Sequence, residues 1–202
     1  MQSIPGNVVK AAVSEHVRQT GSSFQPGIPV AVGLGANMGK PVQAIRDACA
    51  LLSRGGVLYP KMSPLYQTAP VACEPGTPPF LNAVVVGRWG GEATSLLRLC
   101  QKIERRLGRP RQHSSRVARV IDVDVLLFGR DVVDEERLVV PHPQLRDRLF
   151  VLAPLRDVAP GWRVPPDDVR VADLCQRLLS ATPNPRAQIQ RLPVRLDIDA
   201  RG

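Results

Sequence analysis

The chain is poor in aromatic residues: four Phe, two Tyr and two Trp make up 4% of its 202 residues. Proteins that hold single-stranded nucleic acid use rows of stacking rings. Here only Trp89 lies near the most basic stretch, so a nucleic-acid partner is not expected. No run approaches the ~18 consecutive apolar residues that a membrane helix needs, and no membrane partner is expected. The first 27 residues hold no apolar stretch of signal-peptide length, and Glu15 between Lys10 and Arg18 suits a transit peptide poorly. Secretion is therefore not expected. Cysteine is scarce as well. Cys49, Cys73, Cys100 and Cys175 form no short-spaced pair, which argues against a zinc or dithiol motif and for a reduced, cytoplasmic setting. There is no internal repeat.

What is present is enough for a core. The sequence is 44% hydrophobic, which excludes a disordered chain, and its length suits one domain with tails. Its net charge of +9 is concentrated. Residues 98–119 carry +7, and the rest of the chain carries +2. Arginines outnumber lysines 23 to 4. Either a GC-rich genome or a need for the planar, bidentate phosphate grip of arginine accounts for that.

Residues 1–27 are polar and read as a flexible extension. Ile28-Pro29-Val30-Ala31-Val32 reads as a buried strand entering a tight turn at Gly33 and Gly35. A helix is expected over 41–52, with Val42, Ile45, Cys49 and Leu52 on one face. Residues 57–66 are extended but broken by Pro60 and Pro64, and 71–79 form a loop. Residues 80–86 read as a strand. A helix capped by Thr94 or Ser95 then runs to Leu107 on an apolar face of Leu96, Leu97, Cys100, Ile103 and Leu107, with Gly108 as its stop. A basic loop over 109–119 leads into the strongest strand, 120–128. Residues 139–143 are extended. Helices follow over 144–157, interrupted near Pro154, and over 172–180. The core domain is placed at 28–183, with 184–202 as a tail. Alternating elements with tight turns suit an α+β sandwich, helices packed on an antiparallel-rich sheet.

Four constellations carry chemistry. In Ile121-Asp122-Val123-Asp124-Val125-Leu126-Leu127-Phe128, strand alternation puts both aspartates on one face and Ile121, Val123, Val125 and Leu127 on the other. Carboxylates about 7 Å apart along a strand either face solvent or hold a divalent cation such as Mg²⁺. The arginines before and after that strand (Arg109, Arg111, Arg116 and Arg119, then Arg137, Arg146 and Arg148) are either a solvated basic loop or, beside the aspartate pair, a grip for a polyphosphate. Gly33-Leu34-Gly35-Ala36-Asn37-Met38-Gly39 lacks the Lys-Ser/Thr of a phosphate loop and reads as a structural turn. Phe80 and Asn82 share a strand face. They are either core and strand-end residues or a ring and an amide that read a flat heterocycle. His142, between two prolines, is a turn histidine unless something else recruits it.

Together these motifs resemble a known family. Gly33 to Gly39, Ser63-Pro64-Leu65-Tyr66-Gln67-Thr68-Ala69-Pro70, Phe80-Leu81-Asn82-Ala83 and Gln101-Lys102-Ile103-Glu104 occur in the order seen in 6-hydroxymethyl-7,8-dihydropterin pyrophosphokinases. So do Leu107-Gly108-Arg109-Pro110-Arg111, Arg119-Val120-Ile121-Asp122-Val123-Asp124, Leu138-Val139-Val140-Pro141-His142-Pro143 and Arg148-Leu149-Phe150-Val151-Leu152. The resemblance spans about residues 28–180. It implies a ferredoxin-like α+β sandwich and transfer of pyrophosphate from ATP to the pterin alcohol, releasing AMP, in folate synthesis. It implies that Asp122 and Asp124 hold two Mg²⁺ ions, and that Arg109 and Arg119 stabilise charge in the transition state. By the same resemblance Gln101, Glu104, Arg111, Val125, His142 and Arg148 line the ATP side. Thr68, Pro70, Val71, Phe80, Asn82 and Phe150 form the pterin slot. The expected partners are small-molecule substrates, and the expected state is a monomer. Ser115-Arg116-Val117-Ala118 departs from the Arg-Trp-Gly-Pro often found there, so a catalytically silent pterin or nucleotide binder is the alternative reading.

Overall fold

The computed structural model describes residues 27–69, 76–108, 120–193 and 196. In chain order they form β1 (Ile28–Ala36), α1 (Pro41–Arg54), β2 (Leu58–Met62), β3 (Tyr66–Thr68), β4 (Phe80–Trp89), α2 (Ala93–Arg106) and β5 (Asp122–Phe128). Then come β6 (Val133–Glu135), β7 (Leu138–Val140), α3 (Leu149–Val158), β8 (Arg163–Val164), β9 (Val169–Arg170), α4 (Val171–Ala181), α5 (Pro185–Gln188) and β10 (Ile189–Arg191). The main sheet has the order β10-β3-β4-β1-β5, with β2 also on β4. Every pairing in it is antiparallel. Helices cover both faces, so the expected α+β sandwich is the fold observed.

Strand alternation divides the core into two layers. Val30, Val32, Val85, Val123 and Val125 point to α1 and α2, where Ile45, Leu52, Leu96 and Ile103 meet them. Ala31, Val84, Val86, Leu126 and Leu127 point to α3 and α4, against Leu152, Leu155, Leu174 and Cys175. Each fully buried Leu or Ile contributes about 1.5–3 kcal/mol by leaving water. Leu127 was expected beside Val125 but faces the other layer. The β1–β5 register slips between Ala31 and Val32, so Ala31 opposes Leu127 while Val32 opposes Val125. That one-residue bulge turns Leu126 and Leu127 to the same side.

Other expectations are corrected by local geometry. Gly33 and Gly35 do not turn the chain; they lie inside β1, and the turn comes later, at Gly39 with φ +63°. Helix α1 uses Ala44 and Ala48 beside Ile45, Cys49 and Leu52, which leaves Val42 exposed. The start of α2 is set by Glu92, not by Thr94 or Ser95. Ser95 bonds back to the Glu92 carbonyl, and the Trp89 indole N–H donates to both groups, at 3.1 Å each. Residues 143–147 are turns, not helix. Arg146 donates to the Val164 and Pro165 carbonyls and pairs with Asp167, which draws this segment onto the β8–β9 hairpin. Helix α3 continues through Pro154, whose missing N–H forfeits only the bond to the Phe150 carbonyl. The stretch expected as a tail from 184 includes β10, an edge strand of the main sheet, and Leu196 is buried in the first layer.

Candidate functional site

One transverse row of residues organises the site. Across β3, β4, β1 and β5, Tyr66 opposes Asn82, Asn82 opposes Gly35, and Gly35 opposes Asp122. One step along the strands, Gly33 opposes both Val84 and Asp124. Directly opposed residues in antiparallel strands project to the same face. Asn82, Gly35, Gly33, Asp122 and Asp124 therefore lie on the face that α3 and α4 cover farther along, where Val84 and Ala31 are buried. The helices stop short of this end. What remains is an open cleft lined by Gly33, Gly35, Asn82, Asp122 and Asp124, with His142, Arg148 and Phe150 across from them.

The two glycines are the floor of that cleft. A Cβ on Gly35 would stand 3.3 Å from the Asn82 amide oxygen and 3.9 Å from the Asp122 Cβ. Sequence reasoning missed this role. The available signal was the i, i+2 spacing of the glycines, which is the strand period, beside an Asp-x-Asp with the same period.

The side chains around the floor have defined orientations. Asn82 and Thr68 are buried at 7% and 8% exposure. The Asn82 amide N–H donates to the Thr68 hydroxyl at 3.0 Å, so the amide oxygen is the end that faces Gly35 and the cleft. Phe80 lies two residues before Asn82 on the same strand face, opposite Thr68. Arg148 precedes α3, and its guanidinium sits 5.3 Å from the centre of the Phe150 ring, within cation–π range. His142 is half-buried. Its backbone N–H donates to the Leu126 carbonyl, and its Nδ1 accepts the Gln144 backbone N–H at 3.1 Å. Burial, and then Arg148, hold its pKa below the ordinary 6.5, while Asp122 pulls the other way. The imidazole is thus neutral, with Nδ1 occupied and the Nε2–H available as a donor.

Three residues expected on the ATP side take these positions. Val125 has its side chain in the first core layer, because it follows Asp124 on the opposite strand face. Glu104 is buried at 8% exposure and accepts the Val123 backbone N–H at 2.9 Å. It grips β5 between the two aspartates. Gln101 is exposed on α2. None of the three is among the described residues that line the cleft. Pro70, Val71, Arg109, Arg111 and Arg119 lie outside the described residues, as do the 115–118 stretch and most of the expected extension.

The aspartate pair fits Mg²⁺. Both carboxylates face the cleft with no side chain opposite them on β1. No group of three or more metal-ligating side chains occurs among the described residues. A cation held here would draw its other ligands from phosphate and water, which is how Mg²⁺ is commonly bound.

Fold and cleft together describe an α+β sandwich whose open site presents two carboxylates at one end and an amide and an aromatic ring at the other. Comparison with known proteins makes this specific. The family model described as 7,8-dihydro-6-hydroxymethylpterin-pyrophosphokinase (HPPK) matches residues 31–160. The 2-amino-4-hydroxy-6-hydroxymethyldihydropteridine pyrophosphokinase of Bacillus subtilis (strain 168) is 41% identical over 128 residues, 63% of this chain and 75% of that protein. The mitochondrial folate synthesis bifunctional protein of Arabidopsis thaliana is 38% identical over 129 residues, 64% of this chain and 23% of that protein. A crystal structure of HPPK-DHPS in complex with substrates superposes with TM-score 0.66 at 14% identity. That superposition covers 84% of this chain and 47% of that one, and shows the shared fold. The chain belongs to the HPPK family, the pyrophosphokinases of folate synthesis. It spans about half the length of the HPPK-DHPS chain and about a quarter of the Arabidopsis protein.

Proposed function

We propose that the cleft joins ATP to 6-hydroxymethyl-7,8-dihydropterin across its glycine floor. The hydroxymethyl oxygen forms a bond to the β-phosphorus, and the bond from that phosphorus to the oxygen bridging to the α-phosphate breaks. AMP departs with the electron pair, and the hydroxyl proton leaves to solvent. The observation that carries this reading is the row Asn82–Gly35–Asp122. Its ends are two strand spacings apart, about 10 Å, which suits a bicyclic ring with its hydroxymethyl arm. The Asn82 amide oxygen, held by Thr68, accepts a ring N–H. Phe150 covers one ring face and Phe80 the other.

At the other end of the row, Asp122 and Asp124 hold Mg²⁺, two ions, which when bound neutralise triphosphate charge. The His142 Nε2–H donates to a phosphate oxygen, and Arg148 balances the charge beside it. Arg109 and Arg119 stabilise charge as the bridging bond breaks, and Arg111 binds ATP. Pro70 and Val71 complete the pterin slot. None of this needs a covalent intermediate. Positioning and electrostatics supply the rate, as in phosphoryl transfer generally.

Cys49, Cys100 and Cys175 are buried free thiols, which suits work in the cytoplasm, and the enzyme acts as a monomer, which light scattering on the full chain tests. The functional test is AMP release from ATP and Mg²⁺ that depends on the pterin alcohol. Asp122→Ala and Asp124→Ala should each abolish it. Unchanged turnover in both variants would remove the carboxylate pair from the mechanism, and ADP in place of AMP would refute the reaction itself.

A further inference from the structure

The transverse row does not stop at Tyr66. Arg191 on β10 opposes Tyr66 on β3, as Tyr66 opposes Asn82 on β4. Tyr66 is buried at 5% exposure, and its phenol donates to Asp157 Oδ2 at 3.0 Å. Arg191 Nε lies 3.4 Å from the same oxygen. Asp157 stands in the last turn of α3, and the first turn of that helix carries Phe150. One carboxylate thus ties together β10, β3 and α3. Burial and the Asp157 carboxylate push the Tyr66 phenol up to about 12, so it remains a donor at any working pH.

The tie has mechanical importance because β3 is only three residues long, Tyr66–Thr68. It has β4 on one side and β10 on the other, and it carries Thr68, which orients Asn82. Arg191 lies beyond residues 31–160, the part of the chain that the family model matches. The C-terminal strand therefore supplies a contact that family membership does not specify.

We propose that Arg191, acting through Asp157 and Tyr66, is a positioning residue for the heterocycle half of the site. It clamps β3 against α3, which keeps Thr68 under Asn82 and Phe150 beside them. The inference rests on the pterin reading given under Proposed function. It assigns Arg191 no contact with either substrate and no part in holding ATP.

The test uses the full chain and four proteins: wild type, Arg191→Ala, Arg191→Lys and Tyr66→Phe. The dissociation constants for the pterin alcohol (by its fluorescence) and for Mg-ATP (by calorimetry) are measured separately, with thermal midpoints alongside. Arg191→Ala and Tyr66→Phe should each weaken pterin binding about 3- to 10-fold, the scale of a strong partly exposed ion pair or an ordinary hydrogen bond, since only part of the lost contact is passed on to the ligand. ATP binding should stay within about twofold, and Arg191→Lys should recover most of the pterin affinity. Because both residues act through one carboxylate, the double variant Arg191→Ala/Tyr66→Phe should bind pterin no more weakly than the weaker single. Parallel loss of both ligands, or a lower midpoint with pterin affinity unchanged, would overturn the proposal and leave Arg191 a stabilising contact only. If the wild type binds no pterin, the underlying reading fails and takes this one with it. If it binds pterin and the variants match it, only the clamp fails.

Discussion

Thr68→Val isolates the role of the Asn82 amide that is proposed to read the heterocycle. Valine matches threonine in shape and strand preference, so the change removes a hydroxyl and little else. That hydroxyl accepts the Asn82 amide N–H at 3.0 Å, between residues at 8% and 7% exposure. In the empty cleft, water can reach Asn82 and replace part of the loss. Stability should fall by about 1 kcal/mol, the net value of a neutral hydrogen bond. For a domain of this size that is roughly 2–4 °C in the thermal midpoint. With the heterocycle bound, water is excluded and the amide N–H has no partner, or the amide flips and presents the wrong end. The full penalty of an unsatisfied buried group, about 1–3 kcal/mol, then falls on the complex. Because about 1 kcal/mol is already lost in the free enzyme, up to about 2 kcal/mol remains to weaken binding, which predicts a KM for the pterin alcohol raised by up to roughly 30-fold with KM for ATP unchanged. Steady-state AMP release with each substrate varied in turn reads both constants. Thr68→Ser, which restores the acceptor, should return the pterin KM close to wild type. Equal changes in both KM values, or a Thr68→Val enzyme with normal pterin KM, would refute the reasoning.

Two more predictions follow from the cleft floor and its histidine. Gly35→Ala places a Cβ 3.3 Å from the Asn82 amide oxygen without demanding an unusual φ, and alanine is favoured over glycine inside a strand by about 0.5–1 kcal/mol. The strand preference and the close approach to Asn82 oppose each other, so the thermal midpoint should move by only a few degrees while pterin affinity drops, and unchanged pterin binding would show that Gly35 is not the floor. His142 has a folded pKa below its ordinary 6.5, so below that pH the unfolded chain takes up a proton that the folded one refuses. Its contribution is intact above 6.5 and is progressively lost as pH falls from 6.5 toward the depressed folded value. Urea unfolding across that window should show a stability slope that His142→Asn flattens; an identical slope in the variant would place the titration elsewhere.

The parts of this site legible in the sequence were those that depend on period two. Asp122 and Asp124 share a face, as do Phe80 and Asn82, because alternation along a strand is a property of the chain alone. Register was not legible. Nothing in the sequence states that Gly35 sits between Asn82 and Asp122, since that depends on how three strands separated by helices align. By sequence alone the glycine run therefore reads as a turn. The burial of Glu104 and Val125 follows from which way α2 and β5 roll onto the sheet, and only packing decides that. Leu127 departs from its expected side for the same kind of reason. Strict alternation predicts its side, and a single bulge reverses it.

The cleft exists because one sheet face changes character partway along its strands. On β4, Val86 and Val84 are buried under α3 and α4, and the next residue on that face is Asn82. On β1 the same step runs from Ala31 to Gly33 and Gly35, and on β5 from Leu126 to Asp124 and Asp122. A helix could cover this end only by burying two carboxylates and an amide, at a cost of several kcal/mol for each unpaired charge. Helix α3 instead begins at Leu149, just beyond Arg148, and brings Phe150 to the edge of the uncovered patch. The sequence signature of the site is thus the point on three neighbouring strands where the apolar residues facing α3 and α4 give way, within one transverse row of each other, to glycine, asparagine and aspartate. On the proposed reading, a triphosphate carried on Mg²⁺ beside a flat heterocycle would complete that layer, whereas a uniformly anionic polymer would leave the amide and the rings at the other end of the row without a partner.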